Sequence, residues 1–295
     1  MSSSALAMIL CIWPRHIRCA RLAQAGALSA IPAAWVDIGW RATIQRHFDS
    51  AFVDSRSIDS MPWFYFALWD EHGPPPQPRD AIGLIGDQRR GNGLLEASPR
   101  HLAHLLEAIC RADEGTAIGY ELSGETVVPR LLDGKGRQAE VAGNELAECI
   151  RAGILDRVRQ LGADPKWHRQ TDDRLRAVAQ STLLRLAFFP NSEEIAIGRQ
   201  LSHTEGHASD WHASLILAGQ HPLRSPRSWL AGMASPWRGG YVAASGGPAL
   251  AAAYFAFEAV MSVLPGFVSG WLADLARRMA GIPPLGDRET GKPPT

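Results

Sequence analysis

Apolar residues recur at helical spacing along much of the chain, most clearly over 98–111. Its apolar stripe consists of four residues that helical spacing brings to one face, namely Leu102, Leu105, Leu106 and Ile109. Ser98 can cap this helix, and Pro99 falls in the first turn, where a missing N–H is tolerated. The same spacing predicts further helices, at 35–58, 145–162, 172–189, the second half of 207–219 and 249–280, the last broken at Pro265-Gly266.

Short β-prone runs alternate with these helices. The aromatic run at 61–70 and the run at 81–87 each predict a short strand. The segment 116–141 predicts a three-stranded antiparallel meander, with one turn at Asp133-Gly134. Pro129 cannot donate to a ladder, so it should occupy an unpaired position or a bulge.

These elements predict an α+β fold dominated by helices, with a small antiparallel β-meander and an apolar C-terminal helical hairpin. Pro-rich and Gly-rich stretches then suggest boundaries between segments. The predicted segments are a basic N-terminal helix or targeting segment (1–36), an aromatic-rich segment ending in a Pro-rich linker (37–78), the main α+β domain (79–221), a Trp/Gly-rich loop with the apolar hairpin (222–282), and a disordered tail (283–295).

Charge and cysteine content narrow the classes of function. Lys plus Arg and Asp plus Glu number 30 each in 295 residues, and this balance argues against binding nucleic acid through bulk positive charge. The four cysteines form no CxxC pair and have no zinc-ligand spacing. A disulfide between Cys110 and Cys149 is compatible only with export, which would require 1–36 to be a signal segment. The alternative for 1–36 is a helix against a membrane or a partner.

The apolar stretch 248–271 is long enough to span a bilayer. Its apolar residues favour insertion, whereas Glu258 and Pro265 oppose it, so the summed insertion free energy is about zero. Two interpretations therefore stay open. The segment either forms a buried hairpin of two helices in a cytoplasmic protein, or associates with a membrane.

Ser245 lies in Ala243-Ala244-Ser245-Gly246-Gly247, an A-x-S-x-G variant of the nucleophile elbow. A strand over 241–244 before the serine and a helix after it are both plausible. The stretch 239–258 resembles α/β-hydrolases, and the resemblance implies a catalytic Ser245. The serine–acid–histidine order of those enzymes is missing, because the last histidine of the chain, His221, precedes Ser245.

Histidines cluster just before this stretch. His203 and His207 are four apart, so on one helix they would share a face and could chelate a metal ion, with His212 as a third ligand. Zinc or iron would then be the cofactor, or His207 could serve as a catalytic base. The competing interpretation is a polar loop followed by a helix capped at Ser209 or Asp210, with no cofactor. His101 and His104 flank the stripe of 98–111 and are predicted to be surface or boundary residues.

The function expected from these features is that of a bacterial accessory protein that binds another protein and performs no catalysis. Trp229, Trp237 and the C-terminal hairpin would supply contact surfaces, since aromatic anchors are enriched at interfaces. A membrane surface is a second expected partner, and nucleic acid is not expected. The alternative is an enzyme, either a hydrolase using Ser245 or a metal-dependent enzyme using His203, His207 and His212.

Overall fold

The structure is a computed structural model that describes residues 34–51, 62–69, 81–91, 93–111, 117–131, 143–204, 212–217 and 235–264, together with residues 24, 138, 141, 225 and 228. Helices dominate these residues, and the strands form small separate sheets. The predicted α+β, helix-dominated class is confirmed. Residues 1–23, 25–33 and 265–295 lie outside the described residues, and with them most of the basic segment 1–36, the break at Pro265-Gly266 and the tail.

A parallel three-stranded sheet is the first unit of the fold. Its strands are β1 (Trp35–Asp37), β2 (Trp63–Leu68) and β3 (Ala81–Asp87), in the order β1-β2-β3. The predictions of strands at 61–70 and 81–87 are confirmed. Their parallel pairing was not predicted, because period-2 patterns give strand positions and no partner. The pairing also joins β2 and β3 across the predicted linker boundary at residue 78.

The helix predicted over 35–58 is wrong at its start. Residues 35–37 form β1, and the helix α1 begins only at Thr43 and is described to Ala51. An aromatic cluster explains this, because the extended backbone brings Trp35 onto Trp63, with ring centroids 5.2 Å apart. Phe48 of α1 packs on the same ring at 5.6 Å, so α1 covers one face of the sheet.

The helix predicted over 98–111 is present in two parts. A 3₁₀ turn spans Ser98–Leu102, and α2 spans Ala103–Cys110. Pro99 lies in the first turn as predicted, whereas Ser98 is not the cap, because the turn begins after Ala97 and the Ser98 hydroxyl is buried without a hydrogen bond. The predicted stripe faces the core, with Leu102 and Leu105 buried.

The β region at 116–141 is a hairpin in the described part of the chain. Strands β4 (Ala117–Ser123) and β5 (Thr126–Leu131) pair around a two-residue turn in which Gly124 has a φ of 64°. The predicted third strand is not found there, since residues 138 and 141 are helical and 132–137 lie outside the described residues. Pro129 pairs opposite Tyr120, next to a register shift between Ala117 and Gly119.

Four helices then follow in close succession, and the predictions at 145–162 and 172–189 are confirmed to within two residues. The helices are α3 (Asn144–Ala163), α4 (Pro165–His168), α5 (Asp172–Phe188) and α6 (Ser192–Gln200). Asn191 and Glu194 form a reciprocal capping box at the start of α6. Cys110 and Cys149 are both exposed free thiols, so no disulfide joins them.

The helix predicted in the second half of 207–219 is not formed in residues 212–217, the described part of this segment. Strand β7 (His212–Ser214) pairs antiparallel with β6 (Ser202–Thr204), and the backbone N–H of Leu215 donates to Leu201 at 3.0 Å. The physical reason is burial, since an extended chain lets Leu215 and Ile216 enter the core beside Leu201. Residues 205–211, with His207, Ser209 and Asp210, lie outside the described residues.

The last described helix, α7, spans Arg238–Val263 and closes the main core. Its first turn packs between α5 and α6. Trp237, Tyr241 and Val242 are buried there with Phe188 and Ile216. The prediction that Trp237 supplies a contact surface is therefore wrong, because its ring fills the core, and Trp229 lies outside the described residues. Gly240 allows this approach, because a Cβ at that position would lie only 2.7 Å from the Trp237 ring.

Candidate functional site

Helix α7 is two helical segments joined at a kink. Gly247 has a φ of 69° and a ψ of −173°, far from helical values, and Pro248 begins the distal segment. A residue with a side chain would be strained at this φ, and proline is well suited to a first helical turn. The kink therefore separates a proximal segment held in the core from a distal segment, 248–263.

The distal segment exposes an apolar face that we call the α7 face. Its members are spaced three or four residues apart, and they are Ala253, Ala256, Phe257, Val260 and Val263. The side chains of Phe257, Val260 and Val263 are 51%, 57% and 75% exposed. Exposure of several large apolar side chains in one row is unfavourable, and such rows mark interaction sites.

The opposite side of the distal segment is buried. Ala251 and Tyr254 are in the core, and Phe255 packs on Phe188 with centroids 5.3 Å apart. The Tyr254 hydroxyl donates a 2.7 Å hydrogen bond to the Glu258 carboxylate. Burial and the neighbouring charge of Glu258 raise the pKa of Tyr254, so the phenol stays protonated and keeps donating. The Glu258 carboxylate thus has a hydrogen-bond donor on the core side of the helix, away from the α7 face.

His101 lies beneath this helix. Its ring packs edge-to-face on Phe188 at 4.8 Å, and its Nε2 atom is buried without a hydrogen bond. Burial, with the positive charges of Arg100 and Arg238, lowers the pKa of His101 to about 3. The imidazole is therefore neutral at physiological pH. His101 is half-buried, which agrees with its prediction as a surface or boundary residue, but its spacing beside the stripe gave no sign of the contact with Phe188.

Ser245 lies in the proximal segment of α7, half-buried. The strand predicted over 241–244 is wrong, because these residues are helical and Tyr241 and Val242 need the helix to enter the core. The helix predicted after the serine is present. The elbow geometry of strand, sharp turn and helix is therefore not formed at Ser245, and no hydrogen bond to its hydroxyl is found among the described residues.

The histidine cluster is only partly described. His203 lies on β6 and His212 on β7, where Thr204 pairs with His212 and His203 pairs with Ala213. The prediction that His203 and His207 share a helix face is wrong at His203, which is on a strand. His207 and His221 lie outside the described residues. Within the described part of the chain, no group of three or more His, Cys, Asp or Glu side chains could hold a metal ion.

Arg89, in the turn after β3, forms an ion pair with Asp87. Arg89 donates to both carboxylate oxygens of Asp87, at 2.9 and 2.7 Å, and to the carbonyl of Ala81. Asp87 is buried, and the hydrogen bonds from Arg89 lower its pKa even though burial acts to raise it. This ion pair fixes the turn after β3.

Helix α7 is long and apolar enough to cross a membrane by length and composition, and only 17% of its most apolar window is buried. Residues 248–263 would measure about 24 Å as a straight helix. The proximal segment that would complete a span is held in the core by Tyr241 and Val242.

Comparisons with known proteins add no relative. The chain matches no protein-family model, no curated protein and no solved structure. The candidate site therefore rests on the geometry of α7 and its neighbours.

Proposed function

We propose that this chain is a non-catalytic accessory protein that binds another protein through the α7 face. The observation that supports this most directly is the row of exposed Phe257, Val260 and Val263 on a helix whose other side is packed in the core. Burying such side chains against a partner is favourable by roughly 1.5–3 kcal/mol for each fully buried residue.

The chemistry of the face favours an apolar helix of a protein over a lipid headgroup layer. Between Arg238 and Val263 the only charged residue is Glu258, which is bonded to Tyr254. Helices that lie in a membrane interface carry Lys or Arg beside their apolar residues, and the α7 face has none. Ala253 and Ala256 leave room for a second helix to approach closely, with Phe257 and Val260 as the larger side chains that fill its grooves.

The arrangement of the C-terminal residues is part of the same proposal. We propose that α7 and the following residues to 282 form an apolar helical hairpin that presents the face. Membrane association through this hairpin is the competing outcome, because α7 satisfies the length and composition of a spanning helix. The experiment below separates the two.

A photo-crosslinking amino acid placed at Val260 tests the proposal in cells that naturally make the chain. We expect an adduct with another protein, and mass spectrometry should locate the crosslink on an apolar helical segment. The adduct should be lost when Phe257→Asp is added. It should persist with Val178→Asp, which makes the same kind of change at an exposed position on α5. Crosslinks to lipid alone, or an adduct insensitive to Phe257→Asp, would refute the proposal.

A further inference from the structure

A second exposed apolar surface lies on α3, at the opposite end of the helix from its core contacts. Near its start, Ala147 is buried and Leu146 and Ile150 pack on the core. The same stripe continues at Ile154 and Val158, one and two turns further on. Yet the side chains of Ile154, Leu155 and Val158 are 49%, 53% and 57% exposed.

This part of the stripe is exposed because α3 extends beyond the end of the neighbouring helix α2. Helix α2 ends at Cys110 after two turns, whereas α3 continues to Ala163. Every residue from 152 to 160 is exposed. The short helix α4 is tied to the end of α3, since His168 Nε2 lies 2.6 Å from the carbonyl oxygen of Gly162. We call residues 151–169 the α3 tip.

Positive charge flanks the apolar residues of the α3 tip. The segment holds five Lys or Arg residues and two Asp, whereas the whole chain has equal numbers of each sign. Asp156 pairs with Arg159 at 2.9 Å, and Asp164 accepts the backbone N–H of Lys166 as the cap of α4. Arg157, Lys166 and Arg169 are exposed and form no ion pair with the described acidic residues.

Trp167 lies between two of these cations, half-buried on α4. An indole beside Lys or Arg suits the boundary between headgroups and acyl chains, where its ring is apolar and its N–H remains hydrated. The α3 tip thus combines aliphatic side chains, an aromatic ring and unpaired cations on one short helical unit. The α7 face has aliphatic side chains and the aromatic ring of Phe257, and no cation.

We propose that the α3 tip binds the surface of an anionic lipid bilayer. Ile154, Leu155 and Val158 enter the headgroup region, and Arg157, Lys166 and Arg169 contact lipid phosphates. Apolar burial and attraction to anionic headgroups together hold helices in this position. A neutral apolar partner helix would bury the aliphatic side chains and leave the cations unpaired, so the charges favour lipid. This goes beyond protein binding at the α7 face and does not depend on it.

Vesicle flotation of the full chain tests this inference. Vesicles of phosphatidylcholine containing one-third phosphatidylglycerol are compared with vesicles of phosphatidylcholine alone. We expect binding to the anionic vesicles only, weakened by salt. Arg157→Glu and Lys166→Glu should each reduce the partition coefficient at least about fivefold. Ile154→Asp with Val158→Asp should abolish binding. Thermal melting of each variant confirms folding, which these exposed positions should not disturb.

Matched controls separate the two surfaces. Phe257→Asp on the α7 face and Val178→Asp on α5 should leave vesicle binding unchanged. Loss of binding with Phe257→Asp would place the lipid contact on α7 and overturn the inference. Equal binding to neutral vesicles, or no binding to either kind, would also overturn it. So would light scattering that shows a dimer in solution converted to a monomer by Ile154→Asp, because the occupant would then be a second copy.

Discussion

The indole N–H of Trp237 donates a 3.2 Å hydrogen bond to the carbonyl oxygen of Ala187. That oxygen belongs to the last turn of α5, and Gly239 packs directly against it. The buried Trp237 ring, the end of α5 and Gly239 thereby fix the position of the first turn of α7. The position of the α7 face depends on this contact.

Gly239→Ala should destabilise the protein strongly, by about 3 kcal/mol, because a methyl group there overlaps the Ala187 oxygen and must displace backbone. Urea denaturation measures the change. Gly153→Ala is the matched control, since Gly153 lies inside α3 and a Cβ added there would point into open space. This variant should stabilise the protein by about 0.5–1 kcal/mol. Equal effects at the two glycines would contradict the packing described here.

The α7 face should contribute little to folding stability. Phe257→Gln is expected to change the free energy of unfolding by no more than about 0.5 kcal/mol, because the ring is exposed. Tyr254→Gln, three positions earlier on the same helix, should cost about 3–5 kcal/mol, because that ring is buried. Denaturant titration of both variants checks this. A large loss with Phe257→Gln would mean that the chain covers this face itself.

Acid should destabilise the protein through His101. The folded-state pKa is lowered to about 3, below the ordinary value of 6.5, so the unfolded chain binds the proton more readily. The stability linked to this group is complete above pH 6.5 and is lost progressively as the pH falls from 6.5 to 3, by a few kcal/mol at most.

Unfolding free energies of wild type and His101→Phe, measured between pH 8 and pH 4, test this dependence. Phenylalanine keeps an aromatic ring against Phe188 and removes the titrating group. The stability of the wild type should fall relative to that of the variant as the pH drops, because the variant lacks this loss. Parallel curves would show that His101 is protonated to the same extent in both states.

The start of α6 should depend on its capping box. Asn191→Ala removes the acceptor of the Glu194 backbone N–H and should cost about 1 kcal/mol. Glu194 also accepts two hydrogen bonds from Arg185, which lower the pKa of its carboxyl group. Glu194→Gln should therefore cost more than Glu193→Gln, whose exposed side chain takes no part in the box. Thermal unfolding of the three variants compares them.

The sequence predicted most helices and the strands β2 and β3, because their apolar spacing is dictated by local chain geometry. It failed where tertiary packing overrides local preference. Tyr241 and Val242 are residues that favour strands, yet they are helical. Their helix begins beside the Ala187 carbonyl oxygen, where only a glycine, Gly239, fits. Likewise Leu215 looked helical and is extended, because it must reach the core beside Leu201.

The candidate sites show the same limit. Periodicity predicted an apolar C-terminal helix, but which of its sides is exposed depends on Phe188 and Phe255, and their contact joins distant parts of the chain. The excess of cations near Lys166 is visible in the sequence. These cations become part of a candidate site only because α2 ends before α3 and leaves apolar side chains exposed beside them. The apolar pattern of α3 does not reveal the length of its neighbour.

The parallel pairing of β2 with β3 has a consequence for how the chain can be divided. Parallel neighbours need a crossover connection, so the chain must return from the end of one strand to the start of the other. A protease cut between Leu68 and Ala81 would therefore sever a connection without releasing an independent domain. The two pieces would remain joined through the ladder and the buried rings of Trp63 and Tyr65. Expressed as separate polypeptides, they should recombine into one folded particle.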